Sequence, residues 1–506
     1  MVATSQPLAS SAALGVLQDG GNAVDAAITA AAVLNVVEPM MTGIGGDMFA
    51  LVFMQEDGRP VGLNGSGWAG TRARIGSIER LEGIHAVTVP GAVAGWFLLH
   101  ERYGRLPMFR LLEPAIGYAE AGFPVSEVIA AGWIQAEAGL GRDPASRATF
   151  LTDGRAPRHG ELFRNPDLAE SLSLVAREGR DAFYKGEIAR RIIGTSDRLG
   201  GFLTRADFED FAAQWVEPIS TAYRGYEVFE MPPNTQGFVV LEMLNILEGF
   251  DLGAMAHNSA EYLHLLVEAK RLAFADREVF IADPDALEQP VRELISKDYA
   301  SRRRDLIDPG RANPSVPPGR PRGSDTVYLS VVDGERNAVS FINSLFFGFG
   351  SGVVVEGTGI ALHNRGSGFS LTRGHRNSLA PRKRPFHTLI PALVLRGGQP
   401  WFSFGVMGGD MQAQGHVQVL ANLIDFGMNP QQAGDAARFR HYDGEGLALE
   451  SAIGDGVGRR LAARGHQILG AAQGGFGGYQ GILIDAASGV LAGASDHRKD
   501  GLAIGW

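Results

Sequence analysis

No cysteine occurs in this chain, which excludes a disulfide framework, a thiolate zinc site and a cysteine nucleophile. Apolar runs of membrane-spanning length are missing too. The longest Ala/Val-rich run, residues 26–37, is too short and too small-sided. A basic segment followed by an apolar one is not found at the start, so no signal peptide is visible, and the expectation is a cytoplasmic protein away from any membrane. Positive charge is in deficit, and a net charge of −10 argues against a general nucleic-acid or anionic-membrane binder. The Gly43–Gly46 turn lacks the lysine of a phosphate-binding loop, and no metal-ligand spacing is evident, so neither a cofactor nor a metal is expected. Internal repeats are absent.

What is present is a globular composition, 45% apolar and 20% charged, in a chain of 506 residues that can build a large core. Its organising stretch is a hairpin. Tyr328, Ser330 and Val332 alternate with Val327, Leu329 and Val331, and the turn Gly334-Glu335-Arg336-Asn337 leads into the strand Ala338–Ser344. Residues 309–324, rich in Pro, Gly, Arg and Ser, read as a mobile loop in front of it. A threonine at the start of a strand is ordinarily only a strand former. The functional reading is that cleavage of the Asp325–Thr326 bond makes Thr326 a new N-terminus whose α-amine activates its own hydroxyl.

Elsewhere the periodicity predicts helices over 7–18 and 23–36, the second capped by Asn22 with Asp25 in its first turn. A glycine-rich turn, Thr42–Asp47, feeds the strand Met48–Gln55. Helices are also predicted at Glu187–Leu199, Arg205–Gln214, Val239–Leu247, Glu261–Ala275, 411–425 and 430–438. Strands are predicted at Tyr226–Met231, 353–355, 359–363, 391–396, 401–407, 481–485 and 490–493. Helices dominate the first part and antiparallel hairpins the last, which is an α+β pattern with sheet packed between helices.

Several stretches, in order, resemble the γ-glutamyltransferase family. They are Gly20–Ala27 with Val37-Glu38-Pro39 and Gly43–Gly46; Thr326–Asp333 with Asn337–Ser340; Phe349–Gly352; Lys383-Arg384-Pro385; Gly408-Gly409; Asp425–Asn429; and Ala494-Ser495-Asp496. The resemblance covers the whole chain. It implies a four-layer αββα N-terminal nucleophile hydrolase fold, made as one precursor and self-cleaved into 1–325 and 326–506, which stay together. It also implies Thr326 as nucleophile, Ser344 as the assisting hydroxyl and Gly408-Gly409 as oxyanion donors, against an ordinary tight turn for that pair. A homodimer of the processed pair is left open.

The family's amino-acid clamp is largely gone. Phe346, Gly368 and the pair His387-Thr388 stand where the family has its Asn, its Asp and its Ser-Ser, and Asn64–Ala69 lacks the Arg-Glu motif. A zwitterion buried without partners costs several kcal/mol. Asn364–Leu371 and Arg384–Thr388 are instead similar to the branch containing oxamate amidohydrolase. Arg365, Asn364, His387 and Thr388 are therefore candidate substrate-binding residues, Arg365 through a substrate carboxylate. For Arg365 a structural role is the alternative, and for His387 a core one. Asp410 is expected to cap the 411–425 helix, and Trp68 to line the pocket or the core. Three readings follow: an amidohydrolase of a small carboxylate-bearing amide, a γ-glutamyl hydrolase or transferase, and an uncleaved metabolite-binding relative.

Overall fold

The computed structural model describes residues 1–287, 291–313, 325–442, 446–470 and 475–506. Two antiparallel sheets form its centre. The first has seven strands in the order Leu502–Ile504, Val2–Thr4, Asp325–Val332, Ala338–Phe346, Asp47–Met54, Arg59–Gly65 and Gln214–Val216. The second has six: Leu491–Ser495, Gly478–Ile484, Gln399–Met407, Ala392–Arg396, Tyr226–Glu230 and Ile219–Tyr223.

The two-residue period of the hairpin decides which way each side chain faces. Val327, Leu329 and Val331 pack outward into the helical layer, against Ala23–Val37. Tyr328 and Val332 point inward, where they meet Leu393, Leu395 and Ile482 of the second sheet. Ser330 also points inward, its Oγ 2.6 Å from Ser403 Oγ across the gap. Each such valine or leucine contributes roughly 1.5–3 kcal/mol by burial. A one-residue slip would turn every one of them to the wrong layer, so the register is strongly specified.

On the far side, the helices Gly237–Leu247, Ala260–Phe280 and Met411–Ile424 pack on Val394, Phe402, Phe404 and Val406 of the second sheet. The result is helix, sheet, sheet, helix. Ala23–Val37 is apolar but for Asp25, Thr29 and Asn35 and is buried along its whole length, and Asn22 and Asp25 close a reciprocal capping box at its start. Among the described residues no helix is long and apolar enough to cross a membrane.

Some elements differ from expectation. The helix expected over Arg205–Gln214 stops at Glu209, and Gln214–Val216 joins the first sheet as an edge strand beside Gly62–Asn64. The strands expected at 353–355 and 359–363 shrink to a ribbon of Val354–Val355 and Ile360–Ala361. Val2–Thr4, Leu502–Ile504 and the small sheet of Phe439–His441, Gly446–Leu449 and Gln467–Leu469 went unforeseen, being too short to carry a period. Most of the 309–324 loop lies outside the described residues.

Candidate active site

Thr326 shares the inward face with Tyr328 and Ser330, at the start of a central strand, and is 1% exposed. Opposite it the ladder is irregular. Val327 pairs with Asn343 and Asp325 with Phe346, so Ser344 and Leu345 together face Thr326. This is a β-bulge, a device that re-aims a side chain. Phe346 adopts φ 82° within it. Its N–H donates to Ser344 Oγ at 2.7 Å, and the Thr326 hydroxyl donates to the same oxygen at 3.2 Å. The glycine-rich turn presses on this bulge, for a Cβ at Gly46 would lie 2.5 Å from the Ser344 carbonyl oxygen. Only glycine permits that approach.

Behind Ser344 lies a buried group of charges. Arg365 donates through Nη1 to Thr388 Oγ1 at 3.1 Å and through Nη2 to Ser344 Oγ at 3.4 Å, with its guanidinium 3.9 Å above the Phe346 ring. Burial pushes it down to about 9, against the opposing charge of Asp47, so it remains a cation at neutral pH. Asp47 faces Ser344 across the ladder. Its Oδ1 accepts the Gly67 and Gly91 N–H groups at 3.1 and 3.2 Å, and its Oδ2 lies 3.1 Å from His387 Nε2 and 3.5 Å from His363 Nδ1. Burial alone would raise the Asp47 carboxyl, but His363, His387 and Arg365 outweigh it and hold it below the usual carboxylate range. Burial, reinforced by Arg365, takes His387 down to about 3, so its imidazole is neutral and Nε2–H donates to Asp47. Asn364 braces the same bulge. Its Oδ1 accepts the Phe347 N–H at 3.1 Å, and its own N–H donates to the Leu345 carbonyl at 3.2 Å.

Gly408 and Gly409 sit between the strand Gln399–Met407 and the helix Met411–Ile424, at φ +119° and +63°, a conformation that favours glycine. Their carbonyls accept the Met411 and Gln412 N–H groups at 3.1 and 3.0 Å, and Gln236 Nε2 also donates to Gly409 at 3.1 Å. Asp410 does not cap the helix with its side chain, contrary to expectation. Its backbone is helical (φ −65°, ψ −15°), and its carboxylate accepts from Arg277 Nη1 at 2.6 Å, a stronger, charge-assisted partner. Trp68 packs edge-on against Phe211 at 5.2 Å, in the core beneath the first sheet's helices.

Thr326 and Gly408 open on one cavity of about 310 Å³, shared with Met41, Arg440, Arg498 and Lys499. A second cavity of about 800 Å³ is bordered by Phe346, Gly368 and Thr388, together with Arg277, Phe369 and Phe386. Thr326, Ser344, Arg365 and Thr388 are thus joined in one chain of hydrogen bonds, Asn364 supports it, and His387 stands one step behind. Asp47 and Gln236 escaped the sequence reading. The only signal for Asp47 was its place at the end of the glycine-rich turn.

An αββα sandwich with a hydroxyl residue at the head of a central strand, beside a glycine turn at a helix start, defines the N-terminal nucleophile hydrolase class. Residues 9–506 match the gamma-glutamyltranspeptidase family, and the chain belongs to it, a family of hydrolases and transferases. It is 42% identical to a glutathione hydrolase-like YwrD proenzyme of Bacillus subtilis, covering 100% of this chain and 98% of that one. It is 35% identical to an oxamate amidohydrolase proenzyme of Klebsiella pneumoniae, covering 100% and 98%. The crystal structure of a cephalosporin acylase from Bacillus halodurans superposes with a TM-score of 0.94 at 44% identity, covering 100% of this chain and 95% of that chain.

Proposed function

We propose that this chain is a self-processing N-terminal threonine amidohydrolase that cleaves a carboxylate-bearing amide through an acyl-enzyme. The observation that carries this is the Thr326 hydroxyl, 3.2 Å from Ser344 Oγ and opening on the cavity it shares with Gly408. In the intact chain, Thr326 Oγ attacks the Asp325 carbonyl carbon. The C–N bond breaks as the proton passes to nitrogen, and an ester replaces the amide. Water then hydrolyses the ester, leaving the fragments 1–325 and 326–506 and a free Thr326 α-amine. A free α-amine has a reference pKa of about 8, near working pH, and here serves as general base. Arg365 supports the reading by donating to Ser344 Oγ, the same oxygen that the Thr326 hydroxyl reaches. The Gly408 and Gly409 N–H groups, at a helix start, suit a developing oxyanion.

The substrate side rests on the lost clamp. Phe346 and Gly368 offer no charge to an amino-acid ammonium, which weighs against γ-glutamyl amides despite the similarity to a glutathione hydrolase-like proenzyme. The cavity of about 310 Å³ on which Thr326 opens is at the small end of the ligand-pocket range, which suits a small acid amide.

Denaturing mass analysis of the protein beside Thr326→Ala tests the reading. Wild type is expected to give fragments of roughly 35 and 19 kDa, in proportion to the 53.9 kDa chain, and the variant a single uncut chain. A wild type that stays whole after long incubation would favour the uncleaved, metabolite-binding reading. A panel of oxamate, glutaryl anilide and γ-glutamyl anilide then separates the substrate classes, and preference for the γ-glutamyl amide would overturn the substrate assignment.

A further inference from the structure

We propose that His264, Glu268 and His466 form a binding site for one zinc-class divalent cation, which clips the helix Ala260–Phe280 to the strand Gln467–Leu469. The linear spacing of these residues gave no hint of a metal-ligand cluster. Folding assembles it. His264 and Glu268 stand four residues apart on one helix face, and His466 comes from the turn before a strand of the small three-stranded sheet. All three are buried, at 0%, 1% and 5% exposure, and one ligand atom from each lies within 4.8 Å of the others.

The outer contacts orient these atoms as a metal would need them. His264 Nε2 lies 2.8 Å from the Asp308 carbonyl oxygen, so it carries the proton and donates it. Nδ1 is then the lone-pair nitrogen, and it points at His466 Nε2, 2.8 Å away. An imidazole whose outer N–H rests on a backbone carbonyl is the usual support of a metal-bound histidine. Glu268 Oε2 accepts the Asn313 N–H at 3.0 Å, and Oε1 lies 3.5 Å from Arg271 Nη1, so the carboxylate retains lone pairs for a cation.

Size also fits. Two nitrogens on a tetrahedral zinc ion sit about 3.3 Å apart, given bonds of about 2.0–2.1 Å. The two imidazoles need to part by only about half an ångström, a side-chain rotation. Two imidazoles and one carboxylate select zinc, cobalt or nickel over calcium or magnesium. The competing account is a plain hydrogen bond, with His466 Nε2–H donating to His264 Nδ1.

The site is separate from the acyl-transfer machinery, and its ligands come from both sides of the Asp325–Thr326 bond. It therefore needs the two portions to stay together, whether or not that bond is cut. The test is calorimetric titration of the chelator-stripped full chain with Zn²⁺ alone, with cobalt(II) absorption as a report on coordination. One ion per chain is expected, with a tetrahedral cobalt spectrum. His466→Gln should weaken binding about a hundredfold and Glu268→Gln at least tenfold, the latter in a protein with an unchanged circular dichroism spectrum. Thr326→Ala should bind as wild type does, which keeps this result independent of the processing reaction. Absence of a stoichiometric site in wild type would overturn the proposal, as would binding that persists unchanged in both His466→Gln and Glu268→Gln.

Discussion

Asp47→Asn keeps the shape of the side chain and removes one charge from the interior behind Ser344. Asparagine Oδ1 still accepts from Gly67 and Gly91, and His387 can switch tautomer to meet the amide, so the charge is the main loss. Arg365 is 1% exposed and keeps its proton partly because Asp47 is ionised. Two unit charges within several ångströms of each other at an effective dielectric of 20 attract by a few kcal/mol. Leaving a buried charge without its compensating charge typically costs about 3–5 kcal/mol. Asp47→Asn should therefore lower the unfolding free energy by about 3–5 kcal/mol. Urea unfolding followed by tryptophan fluorescence measures it, in a Thr326→Ala background so that one uncut chain unfolds. Arg365→Met should cost a similar amount. The double variant should recover about 2–3 kcal/mol of their sum, since neither charge is then stranded. A loss below about 1 kcal/mol for Asp47→Asn, or strict additivity in the double variant, would refute the claim that the two charges compensate each other.

Gly46→Ala should displace the Ser344 carbonyl, 2.5 Å from the new Cβ, and slow fragment formation by roughly ten- to a hundredfold. Gly15→Ala is the control, since nothing lies within 4 Å of its Cβ site in the helix Pro7–Gln18, and it should stabilise by about 0.5–1 kcal/mol. His387, held down to about 3 by burial and Arg365, refuses a proton that the unfolded chain takes up near pH 6.5. The unfolded state binds more protons between those values, so stability falls with acidification, and His387 accounts for about 2 kcal/mol between pH 6.5 and 5. His387→Gln should flatten the dependence of unfolding free energy on pH by one proton, and an unchanged slope would sink that account.

Local signals were the legible ones. The cap at Asn22 and Asp25 lies within one turn of chain, and the 325–346 hairpin announced itself by alternation. Thr326, Ser344 and the Gly408-Gly409 turn were named from motif order and meet, or nearly meet, in the fold. What failed was whatever depends on a distant partner. Asp410 looked like a cap because Arg277, which takes its carboxylate, stands far off in sequence. Asp47 looked like the end of a turn because the groups that make it matter come from 67, 91, 363 and 387. For Arg365 a substrate carboxylate and a structural role both stood open, and its terminal nitrogens are turned to Ser344 and Thr388. The burial that forces this orientation follows only from the assembled layers.

The strand order carries one more consequence. Along the seven-stranded sheet, Val2–Thr4 lies between Leu502–Ile504 and Asp325–Val332, and Asp47–Met54 borders Ala338–Phe346. In the six-stranded sheet, Tyr226–Glu230 borders Ala392–Arg396. A scission before Thr326 would therefore divide the polymer without dividing any layer, because the two portions are woven together at each of these seams. Made apart, each portion would offer raw sheet edges and half an interior, the state in which strands pair with strangers. Synthesis as one thread, followed by a single cut in the finished weave, would let the molecule gain a new terminus without ever passing through that state.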